Sequence, residues 1–473
     1  MGKICLITMY ILLASSFLLF TASVVLHLCL DEIFKSILKK FILLTPDSTI
    51  YQSWVANSTP LLASIYIFDL LNEHEVLNGG KPLFEEVGPF TYWKMKHKWN
   101  ISFSSESPPK HLHYTQTIFY LPHENLSSSS INDREVTSLD LFTAGLVLQN
   151  MSFVNDKFFR NSKAFIKRRP DEILWGYTQE QIAACSVLPV CPEKVSVLHR
   201  ENNSNIETIV IKTGVDDIND RGRVVEFKGK RKFDMWENEY ARRFNGSDGA
   251  FMGFGLSVGV RKHVFVPGVC RSVVMEATEL IPHPQYPRLK VLKFEPAEGD
   301  IDPTFYPPPS EFCKGKSYEP KCAPEGFIAF TPCITEGLPL YGSQGHFLGV
   351  DPRIRSQVIG INEPDEINDK TVMLVEPLTG ITLGAHQVMQ INYYINNTMK
   401  SIPFENMRDS YFFPIIRIVI EVNISEDILD TIYNMLYGTQ YWFNLGVYVL
   451  GGVCLLLFFF SATRIVHMSR NSM

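Results

Sequence analysis

A mainly β fold is the architecture this 473-residue sequence predicts: a large antiparallel sheet closed into a barrel, carrying a helical insertion, with a membrane helix at each end. Three observations predict it. Two long apolar runs stand near the ends, eight N-x-S/T sequons and six cysteines lie between them, and from residue 195 onward short β-forming segments follow one another, almost all bounded by Gly or Pro.

From Ile4 to Leu30 there is no charge beyond a possible one on His27. A helix of about 20 residues, rising 1.5 Å per residue, already crosses a bilayer core. A cleaved signal peptide is the competing reading, but the run is longer than a usual h-region and no clear small-x-small site follows it. The second run, Tyr441 to Thr463, is followed by Arg464, His467 and Arg470. Two spans put both short ends on one side, and Lys3, Arg464 and Arg470 mark that side as cytoplasmic. The expected layout is a cytoplasmic N-terminus at 1–3, spans at 4–30 and 441–463, an ectodomain at 31–440 and a cytoplasmic tail at 464–473.

Glycosylation and oxidation agree with an outward-facing middle. The sequons are Asn57, Asn100, Asn125, Asn150, Asn202, Asn245, Asn396 and Asn423, and Cys185, Cys191, Cys270, Cys313, Cys322 and Cys333 share their compartment. Cys313 and Cys322 flank a Gly, Lys and Pro-rich turn, and Cys270 and Cys333 each adjoin an apolar alternating run, so the expected pairs are 313 with 322 and 270 with 333. Cys185 and Cys191 are close enough for a local bridge. A four-cysteine zinc site is the rival, but paired C-x2-C knuckles are lacking. Cys5, Cys29 and Cys454 lie in or beside the spans; Cys5 is a small apolar helix residue or a palmitoylation site. All 50 acidic residues and 41 of the 44 basic ones lie between the spans, which makes the ectodomain acidic and disfavours nucleic-acid binding.

Along the chain, DEIFKSILKKFILL has helical spacing and prolongs the first span outward. LASIYIFDL and LHYTQTIFYLP are strands, and PLFEEVGPFTYWKMKHKW, punctuated by Pro82, Gly88 and Pro89, reads as short strands joined by tight turns. Between Ser138 and Arg169 the period changes to about 3.6, which predicts one helix over Leu139 to Leu148 and another over Phe158 to Ile166 within an insertion at 138–184. Lys157, Arg160, Lys163 and Lys167 would line one face of that second helix, followed by Arg168 and Arg169. No acidic residue interrupts this run, so it is a candidate anion-binding face; an ordinary solvated face is the alternative. Further on, HQVMQINYYI alternates as on a sheet with one wet face, and PIIRIVIEV is apolar enough to be central. A large sheet that must remove its edges closes into a barrel, which also offers an interior to apolar ligands.

Enzyme signals are weak. Gly255, Ser257 and Gly259 fit G-x-S-x-G, but a strand follows where a nucleophile elbow requires a helix. His111 and His113 share a strand face, yet no third metal ligand stands nearby. Phosphate loops and dinucleotide fingerprints are absent.

The two-span layout together with GPFTYW at 88–93, LWGYT at 174–178, NGSDGAF at 245–251, CRS at 270–272, the cysteines 313, 322 and 333, HFL at 346–348 and EPLTGITL at 376–383 resembles the class B scavenger receptor family, over essentially the whole chain. That resemblance implies a β-barrel ectodomain with a helical apex and an apolar tunnel toward the bilayer. It implies a receptor rather than an enzyme, needing no cofactor, that binds fatty acids, sterols, lipoprotein particles or anionic phospholipid at the apex and passes lipid to the membrane. A lysosomal membrane protein carrying an enzyme or lipid cargo, and a phagocytic or adhesive receptor for microbial surfaces, are the alternatives. The tail TRIVHMSRNSM has neither a Tyr-x-x-apolar nor an acidic dileucine signal, which favours the plasma membrane. The family disulfides support the 270–333 and 313–322 pairs. A third family bridge is replaced here by Tyr240 and Glu311, and the family's Pro-rich segment after NGTD is FMGFGLSVG.

Overall fold

The computed structural model describes residues 2–56, 61–127, 134–148, 162–178, 194–198, 202–203, 206–299, 305–313, 320–333, 338–396, 403–408 and 410–470. Its strands, in chain order, are β1 (Leu61–Leu70), β2 (Phe84–Phe103), β3 (His111–Pro122), β4 (Val136–Leu139), β5 (Phe165–Arg168), β6 (Ile206–Lys212), β7 (Val224–Phe227), β8 (Arg261–Val266), β9 (Arg271–Pro282), β10 (Lys290–Pro296), β11 (Ile328–Ala329), β12 (Leu340–Ser343), β13 (Val372–Val375), β14 (Thr382–Ile395) and β15 (Tyr411–Asn423). Thirteen of them form one sheet in the order β7-β6-β3-β2-β1-β15-β14-β13-β10-β9-β8. One edge of β14 is shared, its residues Thr382 to His386 pairing with β13 and Gln390 to Tyr393 with β12, which in turn pairs with β11.

The sheet ends at β7 and β8, and a loop spans the gap between them. Val224 on β7 donates its N–H to Gly246 O at 3.0 Å, and Phe265 on β8 donates to Ser247 O at 2.7 Å. The NGSDG segment therefore supplies backbone partners to both edges and nearly closes the sheet on itself. Only glycine fits at 246: φ is +77°, and a Cβ would fall 1.9 Å from His263 O. Edges that would otherwise invite pairing with another chain are thereby occupied.

The apolar strand β15 is central, between β1 and β14, with Ile416 opposite Ile67 and Ile391. One expectation from its neighbour fails. The alternating polar residues of β14 are not wet, for Gln390 and Asn392 are fully buried where β12 pairs with that strand. Their side chains bond to each other and to β12, Gln390 Nε2 donating to Asn392 Oδ1 at 2.8 Å and Asn392 Nδ2 to Ser343 Oγ at 3.1 Å. The segment expected as several short strands is the single 20-residue β2, because a register shift between Ile65 and Ile67 absorbs Gly88 and Pro89 without ending the ladder.

The terminal helices, Gly2–Phe41 and Thr439–Arg470, are long and apolar enough to cross a membrane, and they pack side by side. Small buried residues, Ser16, Ser23, Gly451 and Ser461, let them approach closely. Asp31 accepts from Gln440 Nε2 at 2.8 Å near one end of the contact, and Phe17 meets Phe458 at 6.0 Å farther along, so the helices are antiparallel.

Both helices are fastened to the loop at 376–380. Glu376 is fully buried and its carboxylate accepts from the N–H groups of Leu378 and Thr379, the Thr379 hydroxyl and the Tyr437 hydroxyl at 3.1, 2.6, 2.5 and 2.8 Å. Arg221, also buried, donates to Ile42 O at 2.8 Å, just past the first helix, and to Thr379 O at 2.6 Å. Leu38, Ile42 and Leu436 form an apolar cluster at the same junction, with Leu378 and Tyr437 packed on it.

At the opposite end of β1, far from the point where β15 leads into the helix Glu426–Tyr433, lies the insertion. Helix Leu141–Leu148 forms as expected, but Phe165 to Arg168 are strand β5, paired with β4, and not helix. The reason is tertiary: Asp69, buried at the end of β1, accepts the Thr137 N–H at 2.8 Å and an Arg134 guanidinium N–H at 2.9 Å. That holds β4 extended as a template for β5. Residues 158 and 159, and 179–184, lie outside the described residues.

Two glycines test the close approaches. Gly246→Ala and Gly380→Ala, whose Cβ atoms would meet backbone oxygens at 1.9 and 1.6 Å, should each destabilise by about 4 kcal/mol or more. Gly268→Ala, with open space around it and no positive φ, should be near neutral. The fraction of chain reaching a mature, endoglycosidase-resistant glycoform is the measurement.

Candidate functional site

Of the predicted basic face, Lys163 and Lys167 fall among the described residues and both are exposed. Lys167 lies on β5 opposite Thr137. Since Phe165 to Arg168 are extended, the helical spacing that would have aligned four basic residues does not hold through Lys167; Lys157 and Arg160 lie outside the described residues. The adjoining arginines are engaged. Arg168 stacks its guanidinium 5.4 Å from the Tyr177 ring, and Arg169 pairs with Asp171 and Glu172 at 3.3 and 3.6 Å. No described acidic side chain pairs with Lys163 or Lys167, so their charge is displayed to solvent at the end of the sheet farthest from the terminal helices.

Inside the shell, β2 presents a second set of lysines. Met95, His97 and Trp99 are exposed while Lys94, Lys96 and Lys98 are half-buried, the period-two pattern of a strand with one face inward. The same inner face carries Tyr120, Ile118 and Gln116 of β3 as their cross-strand partners. Lys94 lies 5.3 Å from the Tyr120 ring centroid, Lys96 lies 3.7 Å from Asp248, and Lys98 donates to Trp54 O at 3.0 Å with its ammonium 4.1 Å from the Trp54 ring centroid. Burial lowers the Lys98 pKa to about 8, against the opposing pull of Asp248. Burial would raise Asp248, but Lys96 and Lys98 outweigh it and hold its carboxyl low. Above this row, Tyr92, Tyr120 and Trp175 of the LWGYT segment cluster, with Trp175 Nε1 donating to Tyr92 Oη at 3.1 Å. Sequence reasoning passed over these lysines, although the alternation in KMKHK was the available signal.

A buried charge cluster was also missed. Glu86, Arg417, His346 and Asp369 meet where the loop before β13 covers the sheet: Arg417 Nε donates to Glu86 at 2.7 Å, and His346 bridges Asp369 through Nδ1 at 2.8 Å and Glu86 through Nε2 at 3.1 Å. Burial would lower His346, but its two carboxylate partners outweigh that and raise it to about 8. The cluster joins residues separated by up to 331 positions, so no local pattern announces it.

The other candidates are dispersed. Cys270 bonds to Cys333 and Cys313 to Cys322, beside an apolar cluster that includes Trp236 and Phe312; Trp236 Nε1 donates to Cys270 O at 2.7 Å. Cys185 and Cys191 lie outside the described residues. Asn100, Asn125 and Asn423 are exposed, Asn202, Asn245 and Asn396 are half-buried, and Asn57 and Asn150 lie outside the described residues. Ser257 sits on an exposed loop entering β8, with no helix behind it. His111 and His113 lie on β3, and among the described residues no group of three or more His, Cys, Asp or Glu side chains could hold a metal ion.

A nearly closed β shell between two helices apolar enough to cross a membrane, with a disulfide-bonded flank and buried ion pairs used for structure, fits a membrane-anchored β protein. The model of the CD36 family matches residues 12–465, and the chain belongs to that family. It is 27% identical over 395 residues to scavenger receptor class B member 1 of Mus musculus, covering 80% of this chain and 74% of the relative. It is 25% identical over 416 residues to lysosome membrane protein 2 of Homo sapiens, covering 85% and 83%. With sensory neuron membrane protein 1 of Apis mellifera it shares 25% identity over 461 residues, covering 90% and 86%.

The His346 cluster has a pH signature. Its folded pKa of about 8 exceeds the ordinary 6.5, so its stabilisation, about 2 kcal/mol, is complete below pH 6.5 and lost as pH rises through 8. The denaturation midpoint of the purified chain should therefore fall between pH 6 and pH 8.5, and His346→Gln should lower it at pH 6 and flatten the fall.

Proposed function

We propose that the chain is a cell-surface class B scavenger receptor, which captures lipid or lipoprotein particles at the end of its ectodomain away from the bilayer and passes lipid through the barrel interior to the membrane. Both termini face the cytoplasm, and the eight sequons carry glycans on the outside. The mechanism is transfer without covalent chemistry. A sheltered route removes the cost of exposing acyl chain to water, about 0.8 kcal/mol per CH2, along the path from carrier to bilayer. The observation that carries the reading is the pair of exposed lysines, Lys163 and Lys167, with no acidic partner among the described residues, at the end of the sheet opposite the terminal helices. On an acidic ectodomain these two lysines are able to meet an anionic particle surface. Family membership and the name scavenger receptor class B member 1 on a relative support the receptor class.

Charge reversal tests it. Lys163→Glu with Lys167→Glu should lower binding of anionic phospholipid vesicles to expressing cells about tenfold while surface expression, read by antibody on intact cells, stays unchanged. Binding that survives the reversal removes the patch from the mechanism, and a chain confined to lysosomes favours the lysosomal alternative. Mass spectrometry of extracts from the purified chain should find co-purified lipid, and empty protein counts against an internal route.

A further inference from the structure

Resting on the reading that the sequons carry glycans, we propose that the Asn125 glycan is a built part of the ectodomain wall, its asparagine-linked sugar seated in a groove with one pyranose face on the Trp93 ring. The groove holds about 310 Å³ and is lined by Trp93, Pro122, His123, Glu124 and Asn125. The acceptor asparagine and a half-buried tryptophan thus share one open cleft on the outside of the shell.

The strand that carries the ring also holds the acceptor. Ser127, the third residue of the sequon, accepts the Thr91 N–H on its Oγ at 3.0 Å and donates to His123 O at 3.1 Å. Thr91 Oγ1 donates to Leu126 O at 3.2 Å, and the His123 N–H donates to Thr91 O at 2.8 Å. Three of these bonds tie the turn around Glu124–Leu126 to Thr91, two residues before Trp93 on β2. Asn125 is therefore presented to the indole by a fastened turn. The groove has the chemistry of a sugar site: an indole face attracts the polarised C–H groups of a pyranose, and His123, its ring 4.9 Å from that of Trp93, joins Glu124 as a polar partner for hydroxyl and amide groups.

The surroundings favour a sugar over a second protein chain. Leu121, opposite Trp93, is exposed, as are Met95 and Trp99 farther along β2 and Leu126 in the turn, and apolar groups gathered on one sheet face call for a cover. Sequons stand at the margins of this face: Asn125 at one end, Asn100 beside Trp99 at the other, and Asn202 along β3, where its Oδ1 accepts the Tyr120 N–H at 3.1 Å. Glycans at those margins are bulky enough to obstruct a flat protein partner and are themselves the nearest material to lie on the face.

The experiment uses the full-length chain, expressed in mammalian cells and solubilised in detergent. Glycopeptide mass spectrometry first reads occupancy at Asn125; an empty site overturns the sequon reading there and the sugar contact together. The native chain is then treated with peptide N-glycosidase in heavy-oxygen water, so that release at each asparagine is timed separately. Trp93→Leu should speed release at Asn125 about tenfold, the scale of one lost aromatic contact, and leave release at Asn100 unchanged, while Trp93→Phe should stay slow. Acceleration at both sites, or at neither, overturns the contact with glycosylation still standing. Slow release that fades on dilution of the wild-type chain assigns the face to a second copy and overturns it as well. A further reading needs no change at Trp93: with isotope-labelled acetamido methyls, one glycan methyl should resonate upfield of the rest and vanish in Asn125→Gln, and its absence from the wild-type spectrum overturns the contact.

Discussion

The carboxylate of Glu376 is the point on which the molecule's parts converge. It accepts two backbone N–H groups and a hydroxyl from its own loop, which fixes the loop's shape, and a phenol from the segment leading into the C-terminal helix. The same loop receives Arg221, whose other hydrogen bond reaches the backbone just past the N-terminal helix. A buried carboxylate and a buried guanidinium are costly to desolvate, and each is tolerated here because it saturates backbone groups that would otherwise be orphaned. The barrel and both helices are thereby one mechanical unit rather than a domain on two tethers.

Around that junction the shell is completed by close backbone contact more than by long strands. Gly246 and Gly380 stand where a single methyl group would collide with a carbonyl, and the NGSDG segment substitutes for a missing strand between β7 and β8. Charge is sorted by surface. Ion pairs that hold the covering loop lie between buried partners, Lys163 and Lys167 face solvent at the far end, and Lys94, Lys96 and Lys98 face inward.

What could be read from residues alone follows the range of the interaction involved. Spans, the prolonged first helix and most strands are local in cause, and the apolar PIIRIVIEV was rightly read as a central strand. Failures arose where a distant partner decided. Phe165 to Arg168 have helical spacing with the preceding residues, yet Asp69 presents β4 as an extended partner to them. Gln390 and Asn392 look like a wet face until β12 is laid against β14. Gly88 and Pro89 read as a break because the compensating register shift lies on β1. His346 gives no hint of its role, since Glu86 and Asp369 reach it from elsewhere in the chain. The inward lysines are the opposite case: their alternation was in plain view, and only the identity of the inner face was lacking.

The junction at 376–380 also dictates where this chain tolerates being cut. Removing everything up to the end of the first helix would delete Leu38 from its apolar cluster and loosen the carbonyl that Arg221 grips, while stopping before Tyr437 would leave Glu376 short of a donor. A water-soluble version must therefore carry the last turns of one helix and the approach to the other, about from Phe34 through Tyr437. The folded body thus takes in the last turns of the first terminal helix, beyond the apolar run, and stops just short of the second.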